Sequence, residues 1–348
     1  MRHLDRRGFL EVTLGGTLAL ALPQPARAQA RRLGKIEYGV ASVDAIYATP
    51  YVALKKNFFE AEGLEVAYLN SQSGPRSKQM LAAQQIFVTT TGANDSVALT
   101  LSGKASVLVF GLDNRVGFAN ILVNKELHDT GKVRKLEDLA GQTLAVTQPQ
   151  AATWLMAVYI LDKVGVKDKV TIRGLGDFVT MMGAVKTKQA AATMATVSMI
   201  DKAREEGWGV PLFDVTDQTA WMRIFGGDLP GVCCYVLDET AKKRADVLQA
   251  FVNGMVKGAD FVNTQSAEAI TEVIYADYLS GFPREAVLKA VRIYKNNWWN
   301  PTNVISQESY QRLLGIMGGG RQYSDDELRK VPYAVGVDMS FVRKARRL

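Results

Sequence analysis

Thr147, Gln148 and Thr153 frame the loop Thr147-Gln148-Pro149-Gln150-Ala151-Ala152-Thr153, which leads into an apolar helix expected over 154–164. A helix start offers unpaired N–H groups and partial positive charge, and hydroxyl and amide side chains beside it add donors. That combination suits an anion or a strongly polar group. Thr153 serves equally as the cap of the helix, and Gln148 as a solvated loop residue. Asn94 and Asp95 precede a helix ending near Gly103, where each is a good N-cap and each a good ligand contact. Arg115, reached through Asp113-Asn114, has a guanidinium able to grip a carboxylate or sulfonate bidentately or to lie on the surface. Ser42, Asp44 and Tyr47 share one loop. Tyr47 and Trp221 can stack on a flat ligand, and Asp44, if it faces that ligand, favours an ammonium or hydroxyl. Thr196, opening the stretch to Ser198, adds a further hydroxyl.

These are binding chemistries. No Ser-His-Asp order, P-loop or H-E-x-x-H pattern is present, and the two histidines leave little for imidazole catalysis. Cys233 and Cys234 are adjacent, which rules out a disulfide framework or a four-ligand zinc site. Neighbours in a strand point to opposite faces, so two separate thiols are expected. No catalytic residue, metal site or cofactor is assigned.

The elements that must position these residues are numerous and short. With 348 residues, 47% hydrophobic and 22% charged, the chain reads as a globular protein of two domains, each able to bury a core. The formal net charge of +7 is dispersed apart from Arg343-Lys344-Ala345-Arg346-Arg347, so no nucleic-acid stripe is expected. Residues 1–28 are expected to be an export signal. Arg6-Arg7-Gly8-Phe9-Leu10 precedes a short apolar run, and Ala26-Arg27-Ala28 forms an A-x-A cleavage site. The paired arginines and weak apolar run resemble a twin-arginine signal, removed after Ala28, and imply a periplasmic protein.

Strand Ile36–Val40, a helix opened by Thr49-Pro50 and closed by Gly63, strand Leu64–Leu69, helix Arg76–Ala83 and strand Ile86–Thr90 follow one another. The order returns about 100 residues later as strand Val170–Ile172, helix Asp177–Lys186 and strand Ala190–Met194. Such alternation argues for an α/β protein of two doubly wound lobes with parallel sheets. The apolar runs Val107–Leu112 with Phe118–Asn124, and Val232–Leu237, read as the two crossings between lobes. Lobe 1 is then 29–114 with 237–348, and lobe 2 is 115–236. Ligands in open parallel sheets bind outside the carboxyl ends of strands, which selects Ser42–Tyr47, Gly92–Asp95, Asp113–Arg115, Thr147–Thr153 and Thr196–Ser198.

The segment Thr49-Pro50-Tyr51-Val52-Ala53-Leu54-Lys55-Lys56-Asn57-Phe58-Phe59-Glu60-Ala61-Glu62-Gly63-Leu64-Glu65-Val66 resembles the opening of a family of solute-binding proteins. Members of that family serve ABC transporters of sulfonates, taurine, nitrate or the thiamine pyrimidine precursor. Leu136-Glu137-Asp138-Leu139-Ala140-Gly141-Gln142-Thr143-Leu144-Ala145-Val146 resembles a second family segment, and Val247–Val262 a helix that follows the return crossing. The sequence departs from the family at Gln84-Gln85, at Ala192-Thr193-Met194, and in the 148–153 loop, which lacks the usual Gly-Ser.

The resemblance implies a type II periplasmic binding protein fold, with two lobes joined by a two-crossing hinge that close on a small organic solute. A sulfonate, carboxylate or pyrimidine is the expected ligand class, and an ABC permease in the inner membrane the expected partner of a monomeric receptor. An exported sensor of the same fold is the alternative. A related enzyme family that makes the thiamine pyrimidine carries a cysteine run and a histidine that this chain largely lacks.

Overall fold

The computed structural model describes residues 32–320 and 322–348; the expected leader lies outside them. The chain builds two five-stranded sheets. The first draws on β1 (Gly34–Val40), β2 (Leu64–Asn70), β3 (Val88–Gly92) and β4 (Ser106–Gly111), interleaved with helices α1 (Ala48–Lys55), α2 (Gly74–Ala82) and α3 (Ala93–Leu101). The second contains β5 (Asn120–Asn124), β6 (Thr143–Val146), β7 (Thr171–Gly174), β8 (Ala192–Ala195) and β9 (Gly209–Phe213). Its helices are α4 (Lys125–Asp129), α5 (Ala152–Lys163), α6 (Phe178–Lys186), α7 (Val197–Glu205) and α8 (Gln218–Phe225). The chain then returns through β10 (Val232–Leu237), and the remainder is helical. α9 (Asp238–Lys243) leads to α10 (Ala245–Thr264), α11 (Ala267–Ile274), α12 (Arg284–Asn297), α13 (Gln307–Gly319), α14 (Asp325–Leu328), α15 (Tyr333–Gly336) and α16 (Ser340–Arg346).

The strand orders are β2-β1-β3-β10-β4 and β7-β6-β8-β5-β9, the same arrangement twice. In each sheet four strands run the same way and one is antiparallel to both its neighbours: β10 between β3 and β4, β5 between β8 and β9. The expectation of wholly parallel sheets is therefore corrected to mixed ones. β10 is a fully buried strand of the first sheet and not a crossing, so the chain regains that sheet ahead of Val232. An unbroken apolar run fits a strand covered on both faces, which is why sequence alone could not distinguish it from a connection.

The first βαβ unit forms with one correction: α1 opens at Ala48 after Tyr47 and ends at Lys55, so Thr49-Pro50 lie inside its first turn, and Gly63 closes a separate short turn, Glu60–Glu62, not the helix. β1 pairs in register with β2 from Gly34↔Leu64 to Val40↔Asn70, and Gly63 turns the chain into β2 at φ 79°, a conformation that favours glycine. Beneath this sheet Phe251 of α10 stacks on Phe59 at 5.1 Å and meets Tyr38 edge-on at 5.0 Å. The C-terminal helices touch both sheet units: α10 packs on α1, whereas α12 lies against α7 and α13 against α5. Among the described residues no helix is long and apolar enough to cross a membrane.

Candidate functional site

Between the two units lies a cavity of about 30 Å³ whose walls come from both. The first unit contributes Ala41, Ser42 and Tyr47 after β1, Ser73 and Gly74 after β2, and Gly92 and Asp95 after β3. The second contributes Thr147, Ala151, Ala152 and Thr153 after β6 and Phe178 after β7, with Phe118 from the first crossing. All these loops but the last leave the carboxyl ends of parallel strands, as the crevice rule requires. Four helices, α2, α3, α5 and α6, begin at this wall. Ser73 and Asp177 cap α2 and α6, accepting from Arg76 N and Thr180 N. α3 and α5 start at Gly92 and Ala151 with no side-chain cap, so their first N–H groups are not met by a local side chain.

Ser42, Tyr47, Asp95, Thr147 and Thr153 thus sit where the sequence placed a ligand. Thr153 is not the residue that opens its helix. α5 begins one residue earlier, and the Thr153 hydroxyl instead accepts from Thr147 N at 3.1 Å and bonds the Thr147 hydroxyl at 2.8 Å. Asn94 and Asp95 are not N-caps either. β3 runs straight into α3, Ala93 N donates to Gly231 O at 2.9 Å, and both polar residues fall in the first turn. Asp95 is fully buried; its Oδ2 accepts from the Thr91 hydroxyl at 2.8 Å, while its Oδ1 accepts nothing among the described residues. Burial pushes its pKa up to about 6, against lowering by Lys78 and the Thr91 hydrogen bond. Asn94 is buried beside Gly92 with its Nδ2 unpartnered, outside the cavity wall.

The other expected contacts are not in the cavity wall, and Asp44 and Thr196 join the two units instead. Asp44 lies wholly buried between them. Its Oδ2 accepts from the Thr196 hydroxyl at 2.7 Å across the cleft, and its Oδ1 from Ile46 N at 3.0 Å and the Tyr294 hydroxyl at 3.2 Å. Burial raises its pKa and these hydrogen bonds oppose the rise. Tyr294 also accepts from Val197 N at 3.4 Å, so one α12 side chain touches the Asp44 carboxylate and the start of α7. Asn114 is fixed through its backbone, donating to Trp298 O at 2.8 Å and accepting from Leu229 N at 2.9 Å. Gln148 is half-buried, and its carbonyl accepts from Ala151 N.

Arg115 is corrected from an anion clamp to a structural pin. Its Nη1 donates to Val215 O at 3.2 Å, its Nη2 bonds the Gln218 side chain, and its guanidinium lies 5.1 Å from the Trp221 ring and 5.9 Å from that of Trp298. Two of its five N–H donors and its flat face are engaged. Trp221, proposed as a stacking platform, is itself buried against Phe225 with its Nε1 donating to Gly227 O. Arg115→Ala is expected to lower stability by about 1–3 kcal/mol through the lost cation–π contacts and hydrogen bonds. Ligand affinity should stay essentially unchanged; urea melts and calorimetry on the same variant check both parts.

Sequence reasoning missed Ser73, Gly74, Phe118 and Phe178. The loops after β2 and β7 obey the same carboxyl-end rule as those selected, so applying it to every parallel strand would have found Ser73, Gly74 and Phe178. Cys233 and Cys234 are free and buried, on opposite sides of β10 as alternation requires; Cys234 Sγ lies 3.0 Å from the Thr90 hydroxyl. Burial raises both thiols, Cys234 to about 12, which leaves them unreactive. Among the described residues no group of three or more His, Cys, Asp or Glu could hold a metal.

Comparison with known proteins gives one family and one fold. The family model described as NMT1/THI5 like matches residues 45–269. The Bacillus subtilis protein YtlA, named as a binding protein, is 20% identical over 99% of this chain and 98% of its own length. A solved structure from Bordetella bronchiseptica superposes with a TM-score of 0.81 at 20% identity, covering 90% of this chain and 97% of that one. The alkanesulfonate-binding protein SsuA of Xanthomonas axonopodis pv. citri, solved with MOPS bound, gives 0.67 at 14% identity over 82% and 93% of the two chains.

Proposed function

The chain belongs to the NMT1/THI5-like family, and from that premise we propose that it is the exported solute-binding component of an ABC importer. It takes a small organic solute between its two sheet units and presents the closed form to a permease in the inner membrane. The observation that carries this reading is the cavity walled by both units at the strand ends. The larger grooves lined by residues 307–334 and 134–224 are each walled by one unit alone. The units act as lobes, described residues 32–114 with 232–320 and 322–348 against 115–231, and the receptor works as a monomer. Asp113 lies at the hinge between them, where its Oδ1 accepts from Gly231 N and Val232 N, both at 2.9 Å, and so ties one crossing to the other. Paired Arg6-Arg7 and the A-x-A stretch before Gln29 support export by the twin-arginine route to the periplasm.

The cavity has room for about two water molecules. A solute of several heavy atoms therefore needs the lobes further apart than in this arrangement, and its capture is a domain movement. A melting-point screen with sulfonates, carboxylates, pyrimidines and small amines and amidines tests the reading, because a ligand at about 100 times its Kd adds about 2.7 kcal/mol. Small-angle scattering with the best binder should show a smaller radius of gyration than the ligand-free protein. No stabilising compound, with superposable scattering curves, would overturn it.

A further inference from the structure

The cavity's lining residues include one carboxyl group and no basic side chain. Asp95 is fully buried there, and half of its hydrogen-bonding capacity is already spent on Thr91. Its Oδ1 is unmatched, and the tight packing at Gly74 fixes the carboxylate in place: a Cβ on that glycine would stand 2.1 Å from Oδ2. We propose that Asp95 is the specificity-determining contact of the cleft and that the solute brings a protonated amine or amidinium-type N–H donor to its Oδ1. This rests on the receptor function argued above and names the class of solute.

The physical argument is one of desolvation. When the lobes are apart water can reach the Asp95 carboxylate, and when they meet it is sealed under Ala152 and Phe178 of the second lobe. Burying an unpaired carboxylate is costly, and burying it against a cation with a matching hydrogen bond is not. An anionic solute adds a second negative charge beside the first and raises the cost of closure. A cationic donor removes it, so closure becomes conditional on the right charge. Lys78 is the cation whose charge acts on Asp95, but it is not part of the cavity wall; Tyr47 of the wall, the buried Tyr235 and the half-buried Tyr323 are the other titratable groups that feel Asp95, and none is hydrogen-bonded to it. None of these supplies the missing donor at Oδ1. The uncapped start of α5 opposite remains open to any acceptor atom the solute carries.

The test is calorimetry on the wild-type protein and Asp95→Asn with two probe sets: ethylammonium, ethanolamine and acetamidinium against methanesulfonate, acetate and nitrate. Asparagine keeps an acceptor for Thr91 and fits the same space, and the variant's ligand-free melting point at neutral pH, expected not to fall, reports that it folds. The cationic probes should bind the wild type and lose roughly 10- to 150-fold in the variant, the value of one charge-assisted hydrogen bond. Binding of the anionic probes alone, unchanged or tightened by Asp95→Asn, would overturn the inference and leave the receptor function standing. A wild-type protein that binds neither set at saturating concentration would overturn both.

Discussion

Replacing Gly92 with valine is expected to hold the two lobes apart and weaken ligand binding by roughly 10- to 100-fold, the cost of forcing extra methyl groups into a packed contact. Gly92 ends β3 with φ −60° and ψ 137°, which any residue adopts, so the backbone tolerates the change. Across the cleft there is no room. A Cβ at this position would lie 2.5 Å from the Ala152 Cβ of the opposite lobe. Within its own lobe it meets only the end of the Asn94 side chain, at 2.7 Å, which can swing aside. The clash is complete in this arrangement, which is tighter than a solute-bound one, and builds up as the lobes approach it, while separated lobes are almost untouched. Small-angle scattering of Gly92→Val at saturating ligand should keep the larger radius of gyration, with a melting point near that of the wild type. A wild-type affinity and a compact bound form would show that closure does not bring Gly92 and Ala152 together.

Asp113→Asn is expected to flatten much of the dependence of stability on pH. The carboxyl group is buried, and two backbone N–H groups on Oδ1 do not offset that burial, so its pKa is pushed up to about 8. Its Oδ2 has no partner among the described residues. A raised acid pKa means that the folded state holds the proton where the unfolded chain, near pH 4, has released it. Stability from this group is thus complete below about pH 4 and falls as pH rises towards 8, at about 1.4 kcal/mol per pKa unit, a total of several kcal/mol. The amide keeps an oxygen for Gly231 N and Val232 N and cannot ionise. Urea unfolding at a series of pH values should give a difference curve between variant and wild type near zero in acid that grows in favour of the variant up to pH 8. A flat difference would mean that water reaches the hinge and solvates the carboxylate.

How far the sequence reached differs between local and non-local features. The strands from 34 to 92 were legible because each carries its own signal, an apolar run or a glycine in the left-handed region, whereas the Thr49-Pro50 start mislaid the bounds of α1, which opens at Ala48 and ends at Lys55. Five of the cavity's side chains were legible too, since the carboxyl-end rule needs only the order of elements. Arg115 was misjudged because what it does depends on Trp221 and Trp298, more than 100 residues further along the chain. Asp44 likewise looked like a ligand contact until Thr196 and Tyr294 were seen to occupy it. The capping preferences of Asn94 and Asp95 were real, but Gly231 accepts the hydrogen bond from Ala93 and the helix starts without them. Side-chain identity announced polar positions; the distant partners decided which of them were already spoken for.

The late return of β10 has a consequence for how the molecule assembles. Thr90 and Cys234 are neighbours in the first sheet yet 144 residues apart along the chain. During synthesis the strands β1 to β4 exist for a long interval with the slot between β3 and β4 unfilled. The intervening stretch closes upon itself, because all five strands of the second sheet fall between Asn120 and Phe213. Once folded, it replaces a long flexible loop by a compact body, and the entropy of bringing β10 home falls accordingly. The inserted lobe thus acts as a folding clamp for the lobe that surrounds it. Until the clamp is set, β3 and β4 expose unpaired strand edges of low charge, where premature pairing with another chain has its opening.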